Sequence, residues 1–252
     1  MRDLKLKRRA LLAAGIAGGI AARPGAAAAA AGNDLVLGGI RIPYPYVTRA
    51  GWGADESLRY RDGVEIWPTE YAPPQALTVH HTHAPDSDGE PAERVRLVYR
   101  VHCVDNGWGD IGYHLLVDEN GLVYEGRVSG GDGLPVFGDR PGPDGRPAVV
   151  TAGHVRDHNI GNAGVALIGS FQTRLPTPAQ RRSLVYVLAG LAAATHLDPG
   201  GTVGYANPVN GRRRTVPTIS GHADWLATDC PGTLFHPTLP SVRDDVQRLI
   251  GR

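Results

Sequence analysis

Hydrophobic and polar positions along the chain fall into short alternating runs separated by turn residues, with three longer stretches of helical period. Residues 77–82 read Leu-Thr-Val-His-His-Thr, an apolar, strand-like run that carries two adjacent histidines. Residues 93–104 repeat apolar side chains at helical spacing, Val95, Val98, Val101 and Cys103 among them, and predict an amphipathic helix. Residues 112–126 hold two apolar runs around Asn120-Gly121, a pair that suits a type I′ hairpin turn. Such a hairpin places Tyr113 and His114 at one end of a sheet, on opposite faces. Residues 164–168 predict a central strand. Thr177-Pro178 supplies an N-cap and a first helical residue, and Leu184, Val185, Leu188 and Leu191 mark the buried stripe of the helix that follows. Asp198-Pro199-Gly200-Gly201 is the expected stop. Residues 202–220 read as strand, Asn210-Gly211 turn and strand, and residues 240–250 as a final helix. Residues 49–67 are irregular, and 128–150, rich in Gly, Pro and Asp, predict a long loop. Strands alternating with helices predict an α/β fold: a single domain with a mixed central β-sheet flanked by helices.

The ends and the charge refine this picture. Lys7-Arg8-Arg9 precede an apolar run over residues 10–22, and alanines at 26–31 offer small-residue cleavage sites, so residues 1–31 predict an export signal peptide. The apolar run is short of the ~20 residues of a comfortable membrane span, so no stable span is expected after processing. The adjacent arginines resemble a twin-arginine signal, incomplete because Lys7 stands where Ser or Thr is usual. Residues 32–46 follow as an extended leader, and 47–252 form the main domain, long enough for one substantial core. The formal net charge is +1, but residues 1–31 hold six basic side chains and one acid, leaving 20 basic and 24 acidic groups in the remainder. That balance argues against nucleic acid as a partner.

The chemistry concentrates in Gly221-His222-Ala223-Asp224-Trp225-Leu226-Ala227-Thr228-Asp229-Cys230-Pro231-Gly232, where a histidine and a cysteine stand eight residues apart before a turn-forming Pro-Gly. One of the paired histidines upstream would complete a set of two imidazoles and one thiolate, ligand types that Zn²⁺ prefers. Three protein ligands leave a fourth position open, the catalytic rather than the structural arrangement. Strand alternation sends His80 and His81 to opposite faces, so only one can join the set. Each element also has a plain reading: a strand histidine pair is commonly one packed and one exposed side chain, and a cysteine before Pro-Gly can be a small buried residue. Cys103 and Cys230 are the only cysteines, and in an exported chain such a pair first suggests a disulfide. Cys103 falls on the apolar side of a helix and reads as a buried thiol, with Cys230 better used on a metal. No His-Glu-x-x-His helix is present.

Four motifs in this order, Val79-His80-His81-Thr82, Trp108-Gly109-Asp110-Ile111-Gly112-Tyr113-His114, Tyr124-Glu125-Gly126-Arg127 and the stretch from Gly221 to Gly232, resemble the type 2 N-acetylmuramoyl-L-alanine amidase and peptidoglycan recognition protein family. The resemblance runs from residues 47–57 to 239–243. It implies a secreted amidase that hydrolyses the amide between the lactyl group of N-acetylmuramic acid and the first L-alanine of the stem peptide. Zinc would sit in a surface groove on His80, His222 and Cys230, with Tyr113 and Thr228 assisting catalysis. His154, in the Gly153-His154 motif, and Asn159 would line the substrate groove. Bacterial peptidoglycan, glycan and stem peptide together, is the implied partner, and the protein is expected to be a monomer. A non-catalytic peptidoglycan-binding receptor is the competing reading; Cys230 argues against it, because loss of that thiolate is how family members lose zinc. His81 is then expected to be a hydrogen-bonded core residue and His114 a support beside Tyr113. Asp110 and Glu125 are expected to hold loops.

Overall fold

A computed structural model describes residues 33–83, 89–131 and 134–251. The export segment expected at 1–31 lies outside the described residues. Six strands form the central sheet: β1 (Tyr46–Val47), β2 (Ala76–His81), β3 (Leu115–Val117), β4 (Val123–Glu125), β5 (Asn162–Leu167) and β6 (Ile219–Gly221), in the spatial order β6-β2-β5-β3-β4-β1. The first four in that order run parallel, β3 and β4 are antiparallel, and β1 closes the edge parallel to β4. The sheet is therefore mixed. Every residue of β2 and of β5 is buried, as expected for parallel strands covered on both faces.

One face lies under α2 (Pro178–Thr195) and α3 (Leu239–Leu249), after α1 (Pro91–Arg100) in chain order. Thr177 caps α2 by accepting the Gln180 N–H at 3.1 Å, with Pro178 at the first helical position. Leu184, Leu188 and Leu191 of α2 and Val242 and Val246 of α3 pack on Leu77, Val79, Val165 and Leu167 of the sheet. Complete burial of side chains of this size contributes roughly 1.5–3 kcal/mol each. The opposite face meets α1, whose Val95 and Tyr99 join Ile111, Leu116 and Ala166. Two helices, a sheet and a third helix make a three-layer α/β domain.

Five expectations need correction. The leader at 32–46 is neither extended nor apart from the domain: Val36–Leu37 turns back through Gly38-Gly39, both at positive φ, to pair antiparallel with Ile40–Arg41. Leu35, Leu37, Ile42 and Tyr46 are buried in the same core as α2, because apolar residues interleave with polar ones along this stretch. Residues 128–150 are not a loop throughout: Phe137–Pro141 and Pro147–Val150 pair antiparallel, and the second pairs with Tyr71–Ala72 to make a separate three-stranded sheet. The turn at Asn120-Gly121 is not type I′, since only Gly121 has positive φ (89°). The Asp118 carboxylate accepts the Asn120 and Leu122 N–H groups instead and shapes a longer connection. The helix expected over 93–104 stops at Arg100 and continues as a π-type turn over Val101–Asp105. Finally, α2 ends at His196 in the left-handed conformation, two residues before the expected stop. Among the described residues no helix is long and apolar enough to cross a membrane.

Candidate metal centre

The two histidines and the cysteine meet where adjacent parallel strands end. His80 is the penultimate residue of β2, and His222 follows β6, its neighbour in the sheet. The crevice outside such carboxyl ends is where open α/β sheets bind ligands. From His222 the chain makes one short helical turn and comes back, closed by the Ala223 N–H donating to the Cys230 carbonyl at 2.8 Å. Trp225 fixes this excursion by donating Nε1–H toward Ser220 Oγ (2.8 Å) and Thr78 Oγ1 (3.0 Å). The result brings one ligand atom each from His80, His222 and Cys230 within 4.8 Å of one another.

Several observations fit a soft divalent ion in this group. Cys230 Sγ lies 3.6 Å from His80 Nδ1; Zn–S of ~2.3 Å and Zn–N of ~2.05 Å span about 3.6 Å across a tetrahedral angle. His222 Nε2 is buried and has no hydrogen-bond partner among the described residues, a state that an isolated polar atom seldom keeps without a ligand. Burial holds His80 well below the ordinary imidazole range and lowers His222 as well. It also pushes the Cys230 thiol up to about 12, although the His81 N–H, 3.3 Å from the sulfur, favours the thiolate. Neutral imidazoles are the form that ligates metal, and a coordinated thiol is deprotonated outright because the ion supplies the missing counter-charge. The donor set suits zinc.

Tyr113 and Thr228 border the same recess, a cavity of about 360 Å³ also lined by His81, Thr82, His83, Gln172, His222, Asp229 and Cys230. The Tyr113 ring lies 5.3 Å from that of His80, and burial, followed by the nearby Cys230, raises its phenol above the ordinary range. Its O–H therefore stays a donor at neutral pH. Thr228 Oγ1 accepts the Cys230 N–H at 3.3 Å, so its hydroxyl proton is free to point into the recess. His222 also lines a larger cleft of about 820 Å³ that extends past Trp67, Trp108, His154, Asn159, Asn207 and Leu226. His222 is shared by the two cavities, and Cys230 lines the smaller one.

His154 and Asn159 border the large cleft, yet their polar atoms turn inward. His154 Nδ1 lies 3.0 Å from His80 Nε2, and His154 Nε2 lies 2.9 Å from the Asn162 carbonyl oxygen. The Asn159 carboxamide oxygen accepts the N–H groups of His154 (2.9 Å) and Val155 (2.7 Å). His81 faces away from His80: its Nδ1 accepts the Phe171 N–H at 3.4 Å, and its ring packs near Phe171. His114 is fully buried, accepting the Gly164 N–H and donating toward the Val150 carbonyl. Cys103 and Cys230 are both free thiols. Asp110, also fully buried, accepts from Arg49, Arg127 and the Ile111 and Val128 N–H groups, while Glu125 accepts the Arg49 N–H. Both hold loops, as expected.

Sequence reasoning passed over the cleft's aromatic wall. The Trp67 ring rests 4.1 Å from the buried Arg127 guanidinium, and Trp108 stacks on His102, whose Nδ1 accepts the Gly112 N–H. Trp67 gave no periodic signal because its segment is irregular, and Trp108 was visible only as part of a motif.

A family model described as N-acetylmuramoyl-L-alanine amidase matches residues 70–233, more than half of the chain. The chain belongs to this amidase family. The matched span holds every candidate site residue. A pig N-acetylmuramoyl-L-alanine amidase is 33% identical over 161 residues, 62% of this chain but 21% of the pig protein. The human amidase is 31% identical over 160 residues and is covered to 22%, so the chain spans about a fifth of the length of these two relatives. Bovine (Bos taurus) peptidoglycan recognition protein 1 is 29% identical over 194 residues, 74% of this chain and 83% of the relative. Among solved structures, Drosophila PGRP-LB superposes with a TM-score of 0.55 at 22% identity, covering 79% of this chain and 94% of its own. That last likeness carries the fold.

Proposed function

We propose that this protein is an exported, zinc-dependent N-acetylmuramoyl-L-alanine amidase that cleaves the lactyl–L-alanine amide of bacterial peptidoglycan. The carrying observation is the convergence of His80, His222 and Cys230, with His222 shared by two cavities and Tyr113 and Thr228 on the wall of the smaller one. His80, His222 and Cys230 would hold a zinc ion, which would supply Lewis acidity toward the amide carbonyl and water. The chain's own groups do the rest. The Tyr113 O–H donates to the oxygen on which negative charge grows, and the Thr228 hydroxyl donates to the same centre. The large cleft, with Trp67, Trp108 and Leu226 as apolar walls and Asn207 and Asn210 as polar ones, holds the substrate to either side of the scissile bond. Peptidoglycan as the partner is supported by the names of the relatives and by a solved complex of a Drosophila PGRP-LB mutant with tracheal cytotoxin. Export, by the twin-arginine route, rests on residues 1–31 alone, and a monomer is part of the same reading.

A receptor that binds without cleaving is the second reading, favoured by the recognition proteins among the relatives. Digestion of purified peptidoglycan followed by mass spectrometry separates the two. An amidase releases free stem peptides beginning with L-alanine; a receptor pulls down intact wall and releases nothing. Release of peptides cut between stem residues would instead point to a peptidase and remove the amidase reading.

A further inference from the structure

The buried imidazole of His154 has no role in the chemistry above, yet it touches a proposed ligand. His154 is 6% exposed and His80 1% exposed, so both imidazoles are packed against protein. His154 Nε2 lies 2.9 Å from the Asn162 carbonyl oxygen. A carbonyl only accepts, so this nitrogen carries a proton and donates it. A neutral imidazole has one N–H, which leaves His154 Nδ1 as a bare acceptor. The partner 3.0 Å away, His80 Nε2, must then be the donor. With its proton committed there, His80 keeps its lone pair on Nδ1, the nitrogen 3.6 Å from Cys230 Sγ.

The setting holds this order. Asn162 lies on β5, and its carboxamide is tied to Thr78 Oγ1 (2.8 Å) and to the His158 carbonyl (3.0 Å). Asn159 grips the His154 backbone N–H from the other side. Gly164, also on β5, leaves room for the ring: a Cβ there would stand 2.6–2.8 Å from three atoms of the His154 imidazole. A glycine inside a buried strand commonly marks such a close approach.

We infer that His154 is a positioning residue, which through the Asn162 carbonyl holds His80 as its Nε2–H tautomer and thereby aims Nδ1 at the metal position. The inference rests on the zinc reading of the site. Metal-bound histidines are usually oriented by a carboxylate or a carbonyl; here an imidazole relays the carbonyl's demand, and loss of such a partner typically weakens metal binding about 10–100-fold.

Two measurements test it. Nitrogen-15 NMR of histidine-labelled, metal-free protein reads the tautomer directly, and the inference requires His80 with the proton on Nε2. A His80 protonated on Nδ1 overturns it. Zinc affinity by chelator competition is the second readout. His154→Phe and Gly164→Ala are expected to weaken zinc binding by about 10–100-fold, and His154→Gln, whose side-chain oxygen can accept from His80, to restore part of the loss. Wild-type affinity in folded His154→Phe overturns the inference while leaving the zinc reading standing. Failure of the wild type to bind zinc removes the zinc reading instead, and the tautomer measurement still decides the fate of the hydrogen-bond relay. If His154→Phe does not fold, the tautomer and Gly164→Ala carry the test.

Discussion

Leu77 and Val79 on one side of β2 meet α2 and α3, while Thr78 and His80 on the other side meet Trp225, His154 and the candidate metal position. The same six residues thus line an aliphatic core and a reactive crevice. The difference comes from nothing more than the two-residue period of a strand, and a slip of one residue would exchange the faces. The aliphatic side tolerates His81 because its ring nitrogen accepts a backbone N–H and its ring packs by Phe171. The other side concentrates imidazoles, His80 and His154 hydrogen-bonded to each other and His222 with its buried Nε2 unpartnered among the described residues. One face supplies stability and the other supplies ligands.

The sharpest way to break this division is to remove the two histidines one at a time. His80→Ala is expected to give folded protein that has lost zinc and all hydrolysis. His81→Ala is expected to retain one zinc per chain but lose roughly 1–3 kcal/mol of stability, the cost of leaving a buried partner unsatisfied. Metal analysis and denaturant unfolding on the same preparations decide it; zinc loss in His81→Ala with retention in His80→Ala would reverse the register. Next in size, Leu188→Ala on the aliphatic side should destabilise by about 2–5 kcal/mol while the folded fraction keeps its full zinc content.

On the crevice side, Tyr113→Phe should keep zinc and lower turnover by about 10²–10³-fold, the scale for one lost donor to a developing oxyanion. Thr228→Ala should do the same more mildly. Zinc loss in either variant would make that residue part of the site's structure rather than of the reaction.

The smallest expected effect is on pH dependence. Burial lowers His114, and likewise His102, to about 4, against ~6.5 when unfolded. As pH falls below ~6.5 the unfolded chain takes up protons that these folded imidazoles refuse. Their contribution is complete above that pH and is lost on the way down to about 4, roughly 1–3 kcal/mol for fully buried His114. Unfolding of metal-free protein at several pH values between 7 and 4.5 should show this decline, and His114→Gln should lessen it by the His114 share. An unchanged slope in that variant would show that His114 does not carry the effect.

Long periodic segments were legible from the residues. β2, β5 and α2 declared themselves because burial on both faces, or on one helical stripe, imposes a pattern that local composition cannot hide. The strands at Phe137–Pro141 and Pro147–Val150 were not legible, since their Gly, Pro and Asp content reads as loop and their pairing with Tyr71–Ala72 is a long-range event. Of the candidate site, the residue identities of His80, His222 and Cys230 stood in the motifs, but the choice between His80 and His81 came from family resemblance. The inward commitment of His154 was hidden for a physical reason. It depends on a carbonyl of β5 and on the space above Gly164, neither of which has a spacing signature. An isolated glycine in the strand 164–168 was the one available hint.

Zinc-edge X-ray absorption of the purified wild-type protein reads the ligand set itself. One zinc per chain is expected, with one sulfur at ~2.3 Å and two imidazole nitrogens at ~2.0–2.1 Å in its shell. The sulfur should vanish from the shell in Cys230→Ser and remain in Cys103→Ser. A wild-type shell without sulfur, or a Cys230→Ser protein that still holds a sulfur-ligated zinc, would contradict the metal centre proposed for this crevice.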